Sequence, residues 1–435
     1  MDPAASVEDM SVVEENQSTK LTEDQYFSSY EDLEIHRLMV GDVPRTSAYR
    51  TAILDNPHLF KGKTVMDVGA GTGILSLFAA AAGAARVYAV EASGTAALLE
   101  QVARDNGFSE VITVLHSRVE DVVLPPDETV DVIISEWMGF YLLHESMLNS
   151  VLVARDRFLS EEGTIFPSEA RIYACPCSLD DLYREQLDFW DDVYGFNMSA
   201  VRSSALDEKA KKPEVCIVKP EHLLAKPACI KTLNLRWVDA EEIANIAENV
   251  FVSITKAGSY HGICVWFECD FDGIDYDEEG EEFGKLVTLS TSPSSEPTHW
   301  KQTVVLLGKI GMVTNEKSQS ESDTESTNVK NTVQLPANSQ TVPTTRANSS
   351  YMKLEEDEVI GWRLEFVQSS GNLRHYTITL QMLDPETDEH PEPCLCSMPR
   401  CLIIAKFIEN ELEGKTFSDC SDRNANPATG AAKEK

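Results

Sequence analysis

The stretch that decides the fold is Val65-Met66-Asp67-Val68-Gly69-Ala70-Gly71-Thr72-Gly73, in which an apolar run leads into three closely spaced glycines. The run predicts a buried strand from Thr64 to Val68. The Ala- and Leu-rich segment from Ile74 to Ala82 predicts a helix that Gly83 closes. Glycine lets the backbone turn sharply and approach a ligand, because no Cβ stands in the way. The stretch is therefore typical of a ligand-binding turn between a strand and a helix.

The alternation of strand and helix continues after this turn. Strands are predicted at Arg86 to Val90, Val111 to Leu115 and Val130 to Ile134, with a helix from Ala96 to Asn106. This rhythm predicts a parallel, doubly wound α/β domain of the Rossmann-like type. After about Pro167 the pattern changes to many strand-like runs with few helices, which predicts an antiparallel barrel or sandwich.

Composition divides the chain further. Residues 1–21 are acidic and polar, and we expect them to be disordered. The α/β domain with its N-terminal helices then covers 22–167, and the strand-rich domain covers 168–383. A Ser-, Thr-, Asn- and Gln-rich tract at about 314–350 interrupts the second domain, which is tolerable because loop entropy grows slowly with length. We expect a largely flexible extension over 384–435.

The charge balance limits the partners that the protein can attract. Acidic residues number 72 and basic residues 37, which gives a net charge of −35. Such a chain should not bind nucleic acid or an anionic membrane by bulk attraction, but it should attract Arg- or Lys-rich protein tails. The alternative is that the acidity serves only solubility.

Cysteine usage and the N-terminus indicate the compartment. The ten cysteines form no small-scaffold framework, which favours a reducing intracellular environment. The N-terminus lacks the apolar core of a signal peptide, and no run approaches the ~20 apolar residues of a membrane span. We therefore expect a location in the nucleus or the cytoplasm. Cys394, Cys396 and Cys401 form a loose trio whose spacing does not match the paired cysteines of structural zinc sites, so no metal is expected.

The glycine turn and two acids indicate the ligand. The spacing is G-x-G-x-G rather than the G-x-G-x-x-G typical of a dinucleotide pyrophosphate. Glu91 follows Gly69 by 22 residues at the end of the next strand, where it can accept hydrogen bonds from ribose hydroxyls. Glu120 follows the third strand and could bond an adenine amine. Together they predict S-adenosylmethionine; the alternative is a tight turn with a solvent-facing Glu91.

A second motif is Ser135-Glu136-Trp137-Met138-Gly139-Phe140-Tyr141-Leu142-Leu143-His144-Glu145-Ser146-Met147. Its residues between Glu136 and Glu145 are nearly all apolar or aromatic. If the loop folds back, both carboxylates can face one point in a dry cleft, where they repel unless a cation lies between them. A guanidinium suits that position, because it is planar, permanently charged and able to bond two carboxylates. The alternative is two unrelated surface glutamates.

With these motifs in hand, the chain resembles the type I protein arginine methyltransferases over roughly Tyr26 to Leu383, and looks closest to an insect branch similar to the human type 6 enzyme. The tail from His390 to Cys396 also resembles that branch. The features that carry the resemblance are the aromatic pair Tyr26 and Tyr30, the glycine turn, Glu91, the two-glutamate loop and Thr298-His299-Trp300-Lys301-Gln302.

The resemblance implies a β-barrel second domain with a helical dimerisation arm at about 183–213, and a role for each matching residue. Glu136 and Glu145 would hold the substrate guanidinium, and His299 paired with Asp42 would help to carry away the released proton. Tyr30, Met39 and Trp300 would contact the substrate arginine. The cofactor S-adenosylmethionine would be bound by His36, Arg45, Asp67, Gly69, Gly71, Glu91, Glu120 and Met147.

The implied activity is methyl transfer to arginines of basic proteins such as histones, giving monomethyl and asymmetric dimethylarginine, by a homodimer. Three alternatives remain at this point. The chain could be a coregulator or scaffold that keeps the fold without the chemistry, although the intact glutamate pair and glycine turn count against this. It could instead methylate a small molecule. A nicotinamide-dependent dehydrogenase is disfavoured by the glycine spacing.

Overall fold

The computed structural model describes residues 32–308 and 352–413, with side chains described as far as residue 408. Tyr26, Tyr30, the acidic segment 1–21 and the low-complexity tract at 314–350 lie outside the described residues. No helix in the described ranges is both long and apolar enough to cross a membrane.

The first domain is a parallel sheet with helices packed against it, as the strand–helix rhythm predicts. The elements are α1 (Leu33–Gly41), α2 (Val43–Leu54), β1 (Thr64–Val68), α3 (Ile74–Ala81), β2 (Arg86–Glu91), α4 (Ala96–Asp105), β3 (Ile112–His116), β4 (Val130–Ile134), α5 (Leu148–Phe158) and β5 (Leu159–Phe166), with 3₁₀ turns at Pro57–Leu59 and Val119–Asp121. The five strands are ordered β3-β2-β1-β4-β5, and every neighbouring pair is parallel. The strand order reverses between β1 and β4, and a ligand crevice forms at such a point beyond the carboxyl ends of the strands.

The second domain is antiparallel and rich in strands. The strands are β6 (Glu169–Cys177), β7 (Glu214–Cys216), β8 (Ala228–Asn234), β9 (Asn245–Ser253), β10 (Gly258–Tyr260), β11 (Gly262–Asp272), β12 (Asp275–Tyr276), β13 (Glu282–Phe283), β14 (Leu286–Ser290), β15 (Gln302–Leu306), β16 (Met352–Leu354), β17 (Val359–Gln368) and β18 (Tyr376–Leu383). A six-stranded sheet has the order β7-β15-β11-β6-β8 with β14 also paired to β11, and a three-stranded sheet has the order β18-β17-β9. The helices are α6 (Asp180–Gln186), α7 (Ser199–Lys209), α8 (Ala240–Ala244) and α9 (Pro399–Glu413), with 3₁₀ turns at Asp188–Asp191 and Pro220–His222.

The two domains share one apolar core. Phe271 of β11 packs edge-on against Tyr49 of α2 at 4.7 Å between ring centroids and against Phe166 of β5 at 5.8 Å. All three side chains are fully buried. Because interiors are close-packed, these contacts fix the strand-rich domain against the crevice of the parallel sheet.

The segment expected to form the arm contains α6, a 3₁₀ turn and α7, so it is helical. Three aromatic side chains between the two helices are exposed, namely Phe189, Tyr194 and Phe196, and Tyr194 is 97% exposed. A cluster of exposed aromatic residues on one projection is typical of a protein-binding surface.

Candidate active site

A cavity of about 330 Å³ lies where the strand order reverses, beyond the carboxyl ends of β1, β2 and β4. It brings together most of the site residues that the sequence indicates. Asp42 and Asp67 do not line it, and Tyr30 lies outside the described residues. The predicted residues that line it are His36, Met39, Arg45, Gly69, Gly71, Glu91, Glu120, Glu136, Glu145, Met147, His299 and Trp300.

The glycine turn faces the cavity with bare backbone. Gly69 and Gly71 have φ of +74° and +55°, in the left-handed region that favours glycine. A Cβ on Gly69 would lie 2.4 Å from Cε of Met147, and a Cβ on Gly71 would lie 3.1 Å from Cε1 of His36. The space against this turn is therefore available to a ligand only because both residues lack side chains.

Acidic side chains stand at the next two strand ends. Glu91 is buried, and its two carboxylate oxygens accept hydrogen bonds from the backbone N–H groups of Gly71 and Ser93, each at 2.7 Å. Glu120 accepts a hydrogen bond from the Ser150 hydroxyl at 2.7 Å. These residues therefore hold carboxylates at fixed positions along the cavity, as a ligand with ribose hydroxyls and a ring amine requires.

Asp67 is placed differently from the other cofactor residues that the sequence indicates. Its side chain is fully buried in β1, where Oδ2 accepts a hydrogen bond from the Ser76 hydroxyl at 2.6 Å. The other oxygen, Oδ1, has no partner within the part of the chain that the structure describes. Burial raises the pKa of Asp67 to about 7. Asp67 thus supports the turn from behind and does not contact the cavity.

The two-glutamate loop folds back on itself. Phe140 and His144 exchange backbone hydrogen bonds at 3.0 and 3.1 Å, and the N–H of Met147 donates to the carbonyl of Trp137 at 2.9 Å. A Cβ on Gly139 would lie 1.7 Å from the carbonyl oxygen of His144, so only glycine permits this closure. The closed loop brings both glutamates to the same cavity.

Glu136 lies deep in the cavity and is paired with Arg45. Nη2 and Nε of Arg45 donate to Oε2 of Glu136 at 2.8 and 3.1 Å, and the two side chains are 6% and 10% exposed. The second oxygen of Glu136, Oε1, is buried and has no hydrogen-bond partner in residues 32–308 and 352–413. Such an oxygen is costly to leave unpaired, and a cationic donor that enters the cavity would satisfy it.

Glu145 differs from the expectation, because its side chain is exposed. Its backbone has φ +63°, and its N–H donates to the carbonyl of Arg374 at 2.6 Å. This left-handed turn places Glu145 at the rim of the cavity, so the expectation of a glutamate pair shielded from water is wrong for Glu145. A carboxylate oxygen of Glu145 lies within 4.8 Å of ring nitrogens of His144 and His375.

The rim also contains residues that sequence reasoning did not single out. Arg374 lines the cavity and donates to the carbonyl of Ser146 at 2.9 Å. The rings of His144 and His375 stack with centroids 5.1 Å apart. Burial, with a smaller contribution from His375, lowers the pKa of His144 to about 4, so this imidazole is neutral at physiological pH. His375 and Arg374 come from the β17–β18 connection, more than 200 residues away, and no local motif marks them.

His299 and Asp42 are in direct contact. Oδ2 of Asp42 accepts the backbone N–H of His299 at 2.7 Å and lies 2.6 Å from Nδ1 of the His299 ring. Its other oxygen accepts the N–H of Arg45 and so caps α2. Burial alone would raise the pKa of Asp42, but the hydrogen bonds from His299 and Arg45 outweigh burial and hold it below the ordinary value. Asp42 is therefore ionised and orients His299.

Hydrogen bonds across the site connect its separate segments. The indole N–H of Trp300 donates to the carbonyl of Met138 at 3.2 Å, which joins the His299 loop to the two-glutamate loop. The Tyr49 hydroxyl donates to the carbonyl of Ser135 at 2.8 Å, which joins the same loop to α2. The positions of Arg45, Glu136 and His299 are therefore fixed by buried contacts.

Two family models match the chain. A model described as a methyltransferase domain matches residues 65–163, and a model described as the arginine methyltransferase oligomerization subdomain matches residues 168–335. The boundary between the two matches coincides with the change from parallel to antiparallel strands.

Curated relatives match over about two thirds of the chain. Protein arginine N-methyltransferase 2 of Homo sapiens is 43% identical over 287 residues, which cover 66% of this chain and 64% of the human protein. Protein arginine N-methyltransferase 6 of Xenopus tropicalis is 42% identical over 307 residues, which cover 70% of this chain and 84% of the frog protein. This chain therefore spans less than two thirds of the human relative's length.

A solved structure has the same fold. The Trypanosoma brucei PRMT1 enzyme–prozyme heterotetrameric complex with AdoHcy superposes with a TM-score of 0.64 at 30% identity, covering 83% of this chain and 98% of the solved chain. The likeness extends over both domains and confirms the prediction of a Rossmann-like domain followed by an antiparallel β-barrel domain.

Proposed function

This chain belongs to the protein arginine N-methyltransferases, which use S-adenosylmethionine, and we propose that it methylates arginines of basic proteins such as histones to monomethyl and asymmetric dimethylarginine. The observation that carries the proposal is the buried Oε1 of Glu136, which has no hydrogen-bond partner among the described residues and lies beside a cavity at the end of a parallel sheet. A substrate guanidinium would supply the missing hydrogen bond and balance the charge.

The residues in the cavity suit the cofactor. The bare backbone of Gly69 and Gly71 and the carboxylate of Glu91 would hold its amino-acid and ribose parts, and Glu120 would accept from its adenine amine. When bound, S-adenosylmethionine supplies a methyl group activated by a positively charged sulfur. Arg45 lies beside Glu136 and can also bind a carboxylate, which the cofactor carries.

The two glutamates would act on the substrate in different ways. Glu136, which is buried and fixed by Arg45, would orient the guanidinium from inside the cavity. Glu145, at the rim, would attract the cation as it enters and bond a second N–H edge. Carboxylates held in place before the reaction stabilise the positive charge that develops on the substrate, and alignment of the reacting atoms supplies further acceleration.

His299 is suited to remove the proton that the methylated guanidinium must lose. Its Nδ1 contacts the ionised carboxylate of Asp42 at 2.6 Å, and its side chain lines the cavity. A carboxylate bonded to one ring nitrogen fixes the tautomer and the orientation of the imidazole. We expect His299 to accept the proton directly or through water.

The substrate class follows from the charge of the whole chain. A net charge of −35 favours encounter with Arg-rich tails and disfavours direct contact with nucleic acid. Such substrates occur in the nucleus and the cytoplasm, where we propose that the enzyme acts.

The proposed activity is tested by incubation of a histone mixture with the enzyme and isotopically labelled cofactor, followed by fragmentation mass spectrometry. Loss of dimethylamine from the modified arginines is expected; loss of monomethylamine would indicate symmetric product, and an absence of label would favour a non-enzymatic scaffold.

We also propose a homodimer in which the arm is the contact. Phe189, Tyr194 and Phe196 are exposed on the arm, and burial against a second copy would remove their apolar surface from water. Light scattering should give twice the chain mass for the wild type. The double variant Tyr194→Ser, Phe196→Ser should be monomeric, whereas Tyr276→Ser, which removes an exposed tyrosine elsewhere, should not change the mass. A monomeric wild type would refute the dimer.

A further inference from the structure

Four side chains beyond the last strand converge on one point outside the catalytic cavity. They are His390, Cys394, Cys396 and Cys401, in the pattern H-x₃-C-x-C-x₄-C. One ring nitrogen of the histidine and the three sulfurs all lie within 4.8 Å of one another. Cys396 and Cys401 are buried, and none of the four residues lines the catalytic cavity.

The distances within the cluster match the edges of a coordination tetrahedron. Nδ1 of His390 lies 3.4 Å from Sγ of Cys394, 3.4 Å from Sγ of Cys396 and 3.2 Å from Sγ of Cys401. The sulfurs of Cys394 and Cys396 are 3.4 Å apart. With Zn–S of about 2.3 Å and Zn–N of about 2.0 Å, a tetrahedral site has S···N edges of about 3.5 Å and S···S edges of about 3.8 Å. The ligand atoms therefore surround a point that one zinc ion fits with a small expansion.

The histidine is held as metal-binding histidines usually are. Nε2 of His390 lies 3.0 Å from the carbonyl oxygen of Pro385 and can only donate to it. In the neutral ring, Nδ1 then carries the lone pair, and it is Nδ1 that faces the sulfurs. The ring also stacks on Phe251 with centroids 3.6 Å apart and planes 10° from parallel, which fixes its direction.

The loop that carries the cysteines is anchored independently of any metal. The N–H of Ser397 donates to the hydroxyl of Ser253 at 2.8 Å, and the two hydroxyls lie 2.7 Å apart. Leu395 forms a parallel bridge with Val252 of β9. Cys401 lies in the first turn of α9. Strand, loop and helix thus meet at the cluster.

We propose that His390, Cys394, Cys396 and Cys401 bind one Zn²⁺ in a structural site. Three thiolates and an imidazole in a tetrahedral arrangement are a ligand set typical of structural zinc. On binding, the three thiols release their protons to solvent, and the three negative charges with the dication leave a site charge of −1. All four positions are filled by protein, so the site is closed to substrate. The spacing of the cysteines alone does not indicate the zinc site, because the fourth ligand is a histidine that precedes them in the sequence.

A disulfide is the main alternative, and the geometry disfavours it. The sulfurs of Cys394 and Cys396 are 3.4 Å apart, well beyond the about 2.05 Å of an S–S bond, and all three cysteines are free thiols.

The role of the zinc follows from its position in the fold. It joins the extension and α9 to the end of the three-stranded sheet near Phe251 and Val359, whereas the β17–β18 connection that reaches the active site lies at the opposite end. Zinc is therefore expected to affect stability more than turnover.

The first experiment measures metal content by elemental mass spectrometry. The full chain is produced in zinc-containing medium without a metal-affinity tag. One zinc per chain is expected for the wild type and for Cys229→Ser, which removes an exposed cysteine elsewhere. Cys396→Ser should contain much less than one zinc per chain. A wild type with substoichiometric zinc, or a Cys396→Ser variant with full occupancy, would overturn the proposal.

The second experiment uses Co²⁺ and does not depend on whether a cysteine variant folds. Wild-type protein stripped of metal and loaded with Co²⁺ should show the intense visible bands of tetrahedral cobalt and a sulfur-to-cobalt charge-transfer band. His390→Cys should retain the metal with a stronger charge-transfer band, because it adds a fourth thiolate. Weak bands typical of octahedral cobalt, or detection of a disulfide among the three cysteines in freshly purified protein, would contradict the site.

The third experiment separates a structural from a catalytic role. A chelator should lower the thermal unfolding temperature of the wild type by several degrees and leave that of Cys396→Ser unchanged. Methyl transfer measured well below the unfolding temperature should fall less than about twofold. An activity that vanishes on chelation, while the protein stays folded, would contradict the structural role. Because this readout is metal content and stability, its failure is distinguishable from a failure of the proposed methyl transfer.

Discussion

Arg45 donates two hydrogen bonds to a single oxygen of Glu136, at 2.8 and 3.1 Å, and leaves the other oxygen of that carboxylate unpaired within the described ranges. Both side chains are almost completely removed from water. The pair therefore fixes the carboxylate while keeping half of its bonding capacity for a guest. A fixed carboxylate with one free edge is what recognition of a planar guanidinium requires.

The first prediction concerns the geometry of this pair. Arg45→Lys should lower kcat/KM for methyl transfer by about 10- to 100-fold, because lysine keeps the charge but cannot form the fork, and a hydrogen bond to a charged group contributes about 1.5–3 kcal/mol. Steady-state kinetics with a histone peptide measure the change. Arg86→Lys, in a half-exposed pair with Glu128, should change kcat/KM by less than twofold. Equal kinetics for the two variants would show that the fork is not needed.

The second prediction concerns Asp42, which caps α2 and bonds His299. Asp42→Asn should lower the free energy of unfolding at pH 7 by about 1–2 kcal/mol, because the charged cap and a charged hydrogen bond are lost. The pKa of Asp42 is lowered in the folded protein, so its stabilisation exists above the ordinary pKa and is lost as pH falls. The difference between variant and wild type should therefore shrink below about pH 4.

Urea unfolding at several pH values measures this difference. Asp32→Asn is the control, because Asp32 caps α1 at an exposed position, where its carboxylate accepts the backbone N–H of Glu34. It should give a smaller loss, and its kcat should stay near that of the wild type. A variant Asp42→Asn with unchanged kcat across pH 6 to 9 would contradict a role of Asp42 in orienting the imidazole.

The third prediction concerns Asp67, whose pKa is about 7 in the folded protein because it is fully buried. A carboxyl with a raised pKa stabilises the fold in its protonated form, and that contribution is lost as pH rises through the folded pKa. Between pH 5 and 8 the wild type should lose about 2–3 kcal/mol of unfolding free energy from this group. The loss is about 1.36 kcal/mol for each pH unit from pH 5 up to the folded pKa, and it ends above that pKa.

Asp67→Asn removes the titration and keeps a similar shape. Its unfolding free energy should rise relative to that of the wild type as pH increases from 5 to 8, as measured by urea unfolding in a series of buffers. A constant difference between the two proteins over this range would show that Asp67 does not titrate there.

The sequence predicts the fold and most of the residues that line the cavity. It does not predict the exposure of a side chain that depends on local backbone conformation, or the residues that reach the site from distant parts of the chain. The glycine turn, Glu91 and the strand–helix rhythm are local patterns, and the parallel order of strands then brings their ends together. Tertiary packing determines which of these side chains meets water. The left-handed backbone of Glu145, which places it at the rim, is not written in its residue type.

Long-range contacts account for the other omissions. Arg374 and His375 reach the site through the turn of a hairpin, and nothing near them in sequence resembles a motif. His390 joins three cysteines only because β9 holds Phe251 against its ring and Ser253 against the loop. Asp67 precedes the glycine turn by so few residues that the sequence groups it with the cofactor residues, whereas its side chain bonds Ser76 of α3.

Glu136 and Glu145 together are expected to bind and activate a substrate guanidinium. Glu145→Gln is the sharper test, because Glu136 also balances the buried charge of Arg45, whereas Glu145 is exposed. Glu278→Gln, an exposed glutamate away from the cavity, is the matched control.

The most direct measurement is single-turnover methyl transfer to an arginine peptide, with calorimetric titration of the cofactor on the same samples. Glu145→Gln should bind the cofactor with an affinity within about threefold of the wild type. It should transfer methyl at least about 100-fold more slowly, since removal of one preorganised group that stabilises transition-state charge costs about 10²–10³ in rate. A wild-type rate in Glu145→Gln, with normal cofactor binding, would contradict the account.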